Sequence, residues 1–324
     1  MKSQNNDQSR RGFLKKSIIT GSLFPLMHGN LFSRFHSAPI DRLKIHIFSK
    51  HLQFLNYQDM AEAVAEMGFD GIDLTVRPDG HVLPERVEND LPKAVEAMRK
   101  VGLAPLMMVT AVQDADNSTD KKVLEVAAKL GFQYYRMNWF AYPEGKSMPE
   151  SLQSFAQKVK DLSILNKKLG LTGCYQNHSG ILVGSVIWEI WELLKEADKQ
   201  YMGIQYDILH ATIEGGLSWQ NGLRLIQSQI KTIAIKDFKW ENKNGEWHAQ
   251  YTPLGEGMVD FKTYFKLLKK YQLNVPVSLH FEYPLGGAEN GATKLSCDKK
   301  VVFEAMKKDL QKVQELAAGI NNKI

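Results

Sequence analysis

Residues 120–138, DKKVLEVAAKLGFQYYRMN, run through an amphipathic helix, a stop and a strand in one short stretch. From Asp120 to Leu130 the apolar residues recur at helical spacing, and Tyr134 to Asn138 has the aromatic character of a strand. Gly131 stands between them, where a left-handed backbone closes a helix without a Cβ clash. The same punctuation occurs at Met67-Gly68-Phe69, Val101-Gly102-Leu103 and Leu169-Gly170-Leu171. Outward from this unit, from Leu43 on, apolar runs of about five residues alternate with amphipathic segments of about eleven or more. Strands are expected near Lys44 to Phe48, Gly71 to Thr75, Pro105 to Thr110, Tyr134 to Asn138, Thr172 to Asn177, Gly203 to Asp207, Lys231 to Lys236 and Val275 to Glu282. Helices are expected near Tyr57 to Met67, Leu91 to Val101, Asp120 to Leu130, Pro149 to Leu169, Val186 to Lys195, Ser218 to Ile226, Phe261 to Tyr271 and Asp298 to Leu316. This alternation predicts an α/β chain folded as a single-domain (β/α)8 TIM barrel over residues 39–324. A doubly wound open sheet shares the alternation, but no glycine-rich phosphate turn follows the first strand. Phe238 to Pro253, with Asn242-Lys243-Asn244-Gly245 between aromatic flanks, reads as a hairpin inserted after the seventh strand.

With 324 residues, 44% hydrophobic and 24% charged, the composition is that of a globular protein. Cys174 and Cys297 are too few and too isolated for a disulfide framework or a zinc cluster. The net charge of +5, from 41 Lys and Arg against 36 Asp and Glu, has a local origin. Lys2, Arg10, Arg11, Lys15, Lys16 and Arg34 precede residue 39 with Asp7 as the one acid, so the remainder is formally neutral. A basic footprint for nucleic acid is therefore not expected on the folded part.

Ser9-Arg10-Arg11-Gly12-Phe13-Leu14-Lys15 resembles a twin-arginine export motif, and a short apolar stretch from Ile18 to Met27 follows, interrupted by Gly21 and Pro25. The stretch is too short to span a bilayer. Residues 1–38 are thus expected to be an export leader directing the protein to the periplasm. No clean small-residue cleavage site follows, Ser37-Ala38 being the nearest, so a leader retained as a membrane anchor is an open alternative.

In a barrel, chemistry sits at the C-terminal ends of strands. Those ends are polar here: Ser49 and His51 after the first strand, Asp73 with Arg77 and His81 at the second, and Thr110 at the third. Arg136, Asn138 and Trp139 follow at the fourth, and Gln176, Asn177 and His178 at the fifth. The sixth carries Asp207 and His210, the seventh Lys236 and Asp237, and the eighth His280 and Glu282. Any one of these is ordinary as a solvated loop residue; their recurrence at one edge points to a polar pocket.

Several pieces together resemble the xylose isomerase-like sugar phosphate isomerase/epimerase family. They are Gly68-Phe69-Asp70-Gly71-Ile72-Asp73-Leu74, Tyr175-Gln176-Asn177-His178, Gln205-Tyr206-Asp207-Ile208-Leu209-His210, Ile235-Lys236-Asp237, Pro253-Leu254-Gly255-Glu256-Gly257 and His280-Phe281-Glu282. The resemblance implies a small-molecule carbohydrate substrate. It also implies one divalent ion (Mn, Mg, Co or Zn) held by a glutamate on strand five, an aspartate on strand six, a histidine on strand seven and a glutamate on strand eight. Asp207 and Glu282 match, whereas Gln176 stands in the first glutamate position and Ala234 in the histidine position. An amide cannot take up the proton-moving role that the resemblance gives the first glutamate.

Three readings follow. A metal remains, held by Asp207, Glu282, the Gln176 amide oxygen and His280, which shares the inward face of Glu282 at two-residue spacing. Alternatively the Lys236 ammonium takes the ion's place between the carboxylates and serves as acid, base or Schiff-base nucleophile. In the third, the barrel binds a sugar without chemistry. The expected catalytic residues are Glu282 as base, Lys236 and His178; Arg136, Gln176, His210, His81, Asp237 and Trp139 are expected to bind substrate. Phe140, Trp240 and Trp247 are further candidate platforms for a sugar ring. The expected reaction is carbohydrate isomerisation or epimerisation by proton transfer next to a carbonyl. Elimination from a keto-sugar glycoside by a lyase or hydrolase is the alternative, since it needs the same proton abstraction.

Overall fold

The computed structural model describes residues 42–319; the expected leader lies outside them. Strands β1 (Ile45–Phe48), β2 (Gly71–Val76), β3 (Met107–Thr110), β4 (Tyr134–Arg136), β5 (Thr172–Gln176), β6 (Met202–Asp207), β7 (Ile230–Ile235) and β10 (Val277–Leu279) close a barrel, each paired in parallel with its neighbours. Helices α1 (Tyr57–Met67), α2 (Val87–Lys100), α3 (Ser118–Leu130), α4 (Met148–Leu169), α5 (Ile187–Leu193), α6 (Ile208–Gly215), α7 (Trp219–Ile226), α8 (Phe261–Lys270) and α9 (Lys299–Ala318) alternate with them. The fold is the expected (β/α)8 barrel. Among the described residues, no helix is long and apolar enough to cross a membrane.

The glycines that punctuate the sequence have the expected backbone. Gly68, Gly131 and Gly170 cap α1, α3 and α4 at φ 88°, 95° and 72°. The hairpin is present as antiparallel β8 (Asp237–Lys243) and β9 (Glu246–Thr252), joined through Asn244 and Gly245, both at positive φ as a tight hairpin turn requires. The helix α6 was not expected. It starts where the Asp207 carboxylate accepts the His210 backbone N–H at 3.3 Å, so one residue ends β6 and caps the next helix.

Outward-facing strand residues such as Ile45, Ile47, Ile72, Leu74, Ile204, Tyr206, Ile233 and Ile235 pack against the helices in the main core. The barrel interior is polar. His46, Asp73, Gln205, Thr232 and Ser278 are buried there, and Gly71 leaves room for the His46 ring, which an added Cβ would approach to 2.4 Å. A column of hydrogen bonds climbs through it: His280 Nε2 to Ser278 Oγ at 3.1 Å, and the Ser278 hydroxyl to Asp73 Oδ2 at 2.6 Å. The interior therefore aims polar groups at the C-terminal mouth.

Candidate active site

At that mouth lies a cavity of about 130 Å³. Its wall includes Glu282, Lys236, His178, Arg136, Gln176, Trp139 and His280. Strand spacing puts them there: residues two apart on β10 and its extension, His280 and Glu282, share the inward face, as do Gln176 and His178 beyond β5.

Lys236 is the hub. Its ammonium lies 3.3 Å from Asp207 Oδ2 and 3.2 Å from Glu282 Oε2, and it donates to His210 Nε2 at 2.8 Å. Because His210 Nε2 accepts, its Nδ1 carries the proton and donates to Ser179 Oγ at 2.8 Å. Burial alone would strip Lys236 of its proton; the Asp207 and Glu282 carboxylates outweigh it and push its pKa above the ordinary lysine value. Lys236 is thus held as an ammonium, which does not suit the Schiff-base role considered from sequence. Burial opposes ionisation of Glu282, yet Lys236 and Lys50 hold its carboxyl well below the usual range, so it is a carboxylate near neutral pH. Asp207, wholly buried, is pushed up by burial despite its ammonium neighbour.

Gln176 bridges two charges. Its amide N–H donates to Asp207 Oδ2 at 2.9 Å, and its oxygen accepts from Arg136 Nη1 at 2.7 Å. Asparagine 177 braces the same strand end, its amide donating to the Asp207 carbonyl and its oxygen accepting the Asp207 N–H, both at 2.8 Å. His178 donates from Nδ1 to the Ser179 carbonyl at 2.8 Å, which leaves Nε2 as an acceptor. Its ring lies against Trp139 and His210. Trp139 donates its indole N–H to the Gln176 carbonyl at 2.9 Å, and its ring lies 4.4 Å below the Arg136 guanidinium.

These contacts bear on the ligand set expected for a divalent ion. Such an ion needs lone pairs from Asp207, Glu282, Gln176 and His280 converging on one point. Here Gln176 turns its N–H toward Asp207 and commits its oxygen to Arg136, and the two carboxylates converge on Lys236 Nζ. Among the described residues no group of three or more His, Cys, Asp or Glu side chains is arranged to hold a metal. The donor set does not fit a divalent ion; an ammonium already stands between its anionic members. His280 keeps a buried, unpartnered Nδ1, 4.0 Å from Glu282 Oε1.

Three residues expected at the substrate are elsewhere. His210 lies behind Lys236, outside the cavity wall, with Nε2 committed to Lys236 and Nδ1 to Ser179. Asp237, next to Lys236 on an extended backbone, points the other way; its carboxylate accepts the N–H groups of Phe238, Gly255, Gly257 and Val259 at 2.9–3.2 Å. It braces the segment returning from the hairpin. His81 accepts from Thr75 Oγ1 at 3.2 Å and donates from Nε2 to the Leu52 carbonyl at 3.3 Å, which commits both ring nitrogens. Phe140 stacks on Phe155 in the core, and Trp240 and Trp247 are exposed on the hairpin, outside the cavity wall. Phe48, Lys50 and Tyr251 were not expected at the site, and Arg77 was placed at its strand end from sequence without a role. Lys50 lies 3.6 Å from Glu282 Oε1, Arg77 lines the cavity, and the Tyr251 ring of β9 lies 5.8 Å from Lys236 Nζ.

Buried neutral histidines give the fold a pH signature. Burial lowers His46, His81 and His178 to about 4 and His51 to about 3. From 6.5 downward the unfolded chain binds protons that the folded one refuses, so stability falls by up to about 1.4 kcal/mol per pH unit per histidine. Burial raises Asp73 and Asp309 to about 6, and below that value they work in the opposite direction. With these four histidines joined by His210 and His280, which burial lowers further, against two aspartates raised to about 6, the urea midpoint is expected to drop between pH 7 and pH 5. An unchanged midpoint would contradict the burial of these rings as neutral species.

A parallel barrel whose polar groups converge on a cavity at the C-terminal mouth defines a TIM barrel with a candidate small-molecule site. Residues 61–297 match the family model described as xylose isomerase-like TIM barrel, and the chain belongs to that family. Among solved structures, D-psicose 3-epimerase from Clostridium cellulolyticum H10, solved with D-tagatose, aligns with a TM-score of 0.64 at 13% identity, covering 85% of this chain and 99% of that one. The 3-keto-D-glucoside 4-epimerase from E. coli aligns at 0.63 and 13% identity, over 83% and 100% of the two chains. A xylose isomerase-like TIM barrel protein from Mycobacterium smegmatis in complex with magnesium aligns at 0.61 and 14% identity, over 87% and 100%. At these identities the likeness is one of fold. No curated protein matches the sequence significantly.

Proposed function

We propose that the protein is a carbohydrate isomerase or epimerase that moves a proton next to a carbonyl in the barrel-top cavity. The observation that carries this reading is the position of Lys236, an ammonium hydrogen-bonded to the ionised Glu282 in the wall of that cavity. In this reading Glu282 Oε1 or Oε2 removes the proton from the carbon next to the carbonyl and, as the carboxylic acid so formed, returns it to carbon when the enediolate collapses. The Lys236 ammonium and the Arg136 guanidinium offset the negative charge that builds on the substrate oxygen. His178 Nε2, an acceptor, orients a substrate hydroxyl or takes its proton. The cavity volume of about 130 Å³ favours a ligand no larger than one sugar ring, since sites for drug-sized molecules run to roughly 300–1,000 Å³. Export by a twin-arginine route, suggested by Arg10 and Arg11, belongs to the same proposal and favours a free or oxidised sugar.

The test is incubation of the full chain with a panel of ketoses and keto-acids in deuterated water. Deuterium on carbon in recovered monosaccharide supports proton transfer with retention of the carbon skeleton. Release of an aglycone from a keto-glycoside would replace it with an elimination.

A further inference from the structure

The cavity wall carries four cations, Lys50, Arg77, Arg136 and Lys236, and one carboxylate, Glu282. Part of this charge is matched internally. Lys236 serves Asp207 and Glu282 together, and Lys50 at 3.6 Å adds the second positive charge that this pair of carboxylates needs. The two arginines are left over. Arg136 spends one N–H on the neutral oxygen of Gln176, and its buried Nε has no partner among the described residues. The buried Nε of Arg77 has none either. Carboxylates act on both only at longer range: Asp79 and Glu282 on Arg77, and Asp73, Glu282 and Asp207 on Arg136. Asp73, buried in the barrel interior, accepts the Ser278 hydroxyl and makes no hydrogen bond to Arg136 among the described residues.

Both guanidiniums flank one ring, Arg77 at 6.0 Å and Arg136 at 5.9 Å from the Phe48 centroid. The Arg77 charge opposes that of Arg136, both line the same cavity, and Arg136 is only 5% exposed. Buried, unpaired charge is costly unless an opposite charge arrives. The histidines do not alter the count, since burial keeps His178 and His280 neutral near pH 7.

We propose that the substrate carries an oxyanion group, a carboxylate or a phosphate, that docks on Arg77 and Arg136 beside Phe48 while its reacting carbons face Glu282 and Lys236. The planar guanidinium fork matches either oxyanion. This inference names the substrate class for the proton-transfer reading above and rests on it for the orientation of the reacting carbons.

The experiment is calorimetric titration of the full chain, in low-salt buffer at pH 7, with D-glucuronate, D-glucose 6-phosphate and D-glucose. One of the acids is expected to bind at least about tenfold more tightly than glucose, with affinity falling as sodium chloride is added. Whichever acid binds identifies the oxyanion. Arg77→Gln, checked for an unchanged melting temperature, is expected to weaken that acid about ten- to hundredfold and to leave glucose unchanged. Glucose binding as tightly as both acids, neither acid binding, or an acid indifferent to Arg77→Gln would overturn the proposal. The two readings fail separately. An acid that binds through Arg77 while no keto-acid exchanges carbon-bound hydrogen refutes the proton transfer alone, whereas exchange in neutral ketoses with no preference for acids refutes the docking alone.

Discussion

Replacing Lys236 by methionine is expected to destabilise the fold by about 3–5 kcal/mol at pH 7 and to abolish turnover. The side chain is 3% exposed and stands between Asp207 and Glu282, so its removal leaves two carboxylates facing each other with their shared cation gone. Among the described residues Lys50 pairs with Glu282 and not with Asp207. The deficit is expected to shrink as pH falls, because carboxylates that repel each other in the fold have raised pKa values and are neutralised first there. A double variant, Lys236→Met with Asp207→Asn, is expected to recover most of the stability and none of the activity. Urea unfolding of the three proteins measures this; a loss below about 1 kcal/mol for the single variant would mean that the carboxylates do not depend on the ammonium.

Glu282→Gln is expected to lower the rate of proton exchange by about 10²–10⁴-fold while leaving the fold intact. The amide keeps the shape and can accept a hydrogen bond from Lys236, but it has no useful basicity. The effect should fall on kcat more than on KM, because the carboxylate is asked to act in the transition state. Rates of deuterium incorporation compare the two proteins. A drop of less than about tenfold would transfer the role of base to a wall histidine, with His178 Nε2 the first candidate.

The fold was legible because its signals are periodic and punctuated. The α1 bounds follow from the sequence directly, since Asn56 caps one end by accepting the Asp59 N–H and Gly68 closes the other. The expected last strand, Val275 to Glu282, is longer than β10: the His280 N–H still bonds the Ile235 carbonyl at 3.0 Å, whereas the Phe281 N–H turns away to His51 Nε2 at 3.0 Å. Alternation along the strands is also what made much of the candidate site legible: Asp207 and Glu282, distant in the chain, meet at the Lys236 ammonium, and Gln176 joins them through Asp207. The same alternation separates Lys236 from Asp237, which were both expected at the substrate although neighbours on a strand face opposite ways.

What stayed hidden lies in loops. Lys50 and Arg77 follow β1 and β2 in segments with no period to fix direction, and Tyr251 reaches the site only because the hairpin folds back over it. Substitution at two family positions could be read from sequence, but not its consequence. That Gln176 would offer its N–H to Asp207 and its oxygen to Arg136 depends on partners brought together by the closed barrel.

The central claim is that Lys236 supplies the positive charge between Asp207 and Glu282, so that these carboxylates have no need of a divalent ion. Calorimetric titration of chelator-treated protein with manganese chloride tests it most directly. No saturable binding at this site is predicted for the wild-type chain. One-to-one binding with micromolar affinity, abolished by Asp207→Asn, would contradict it.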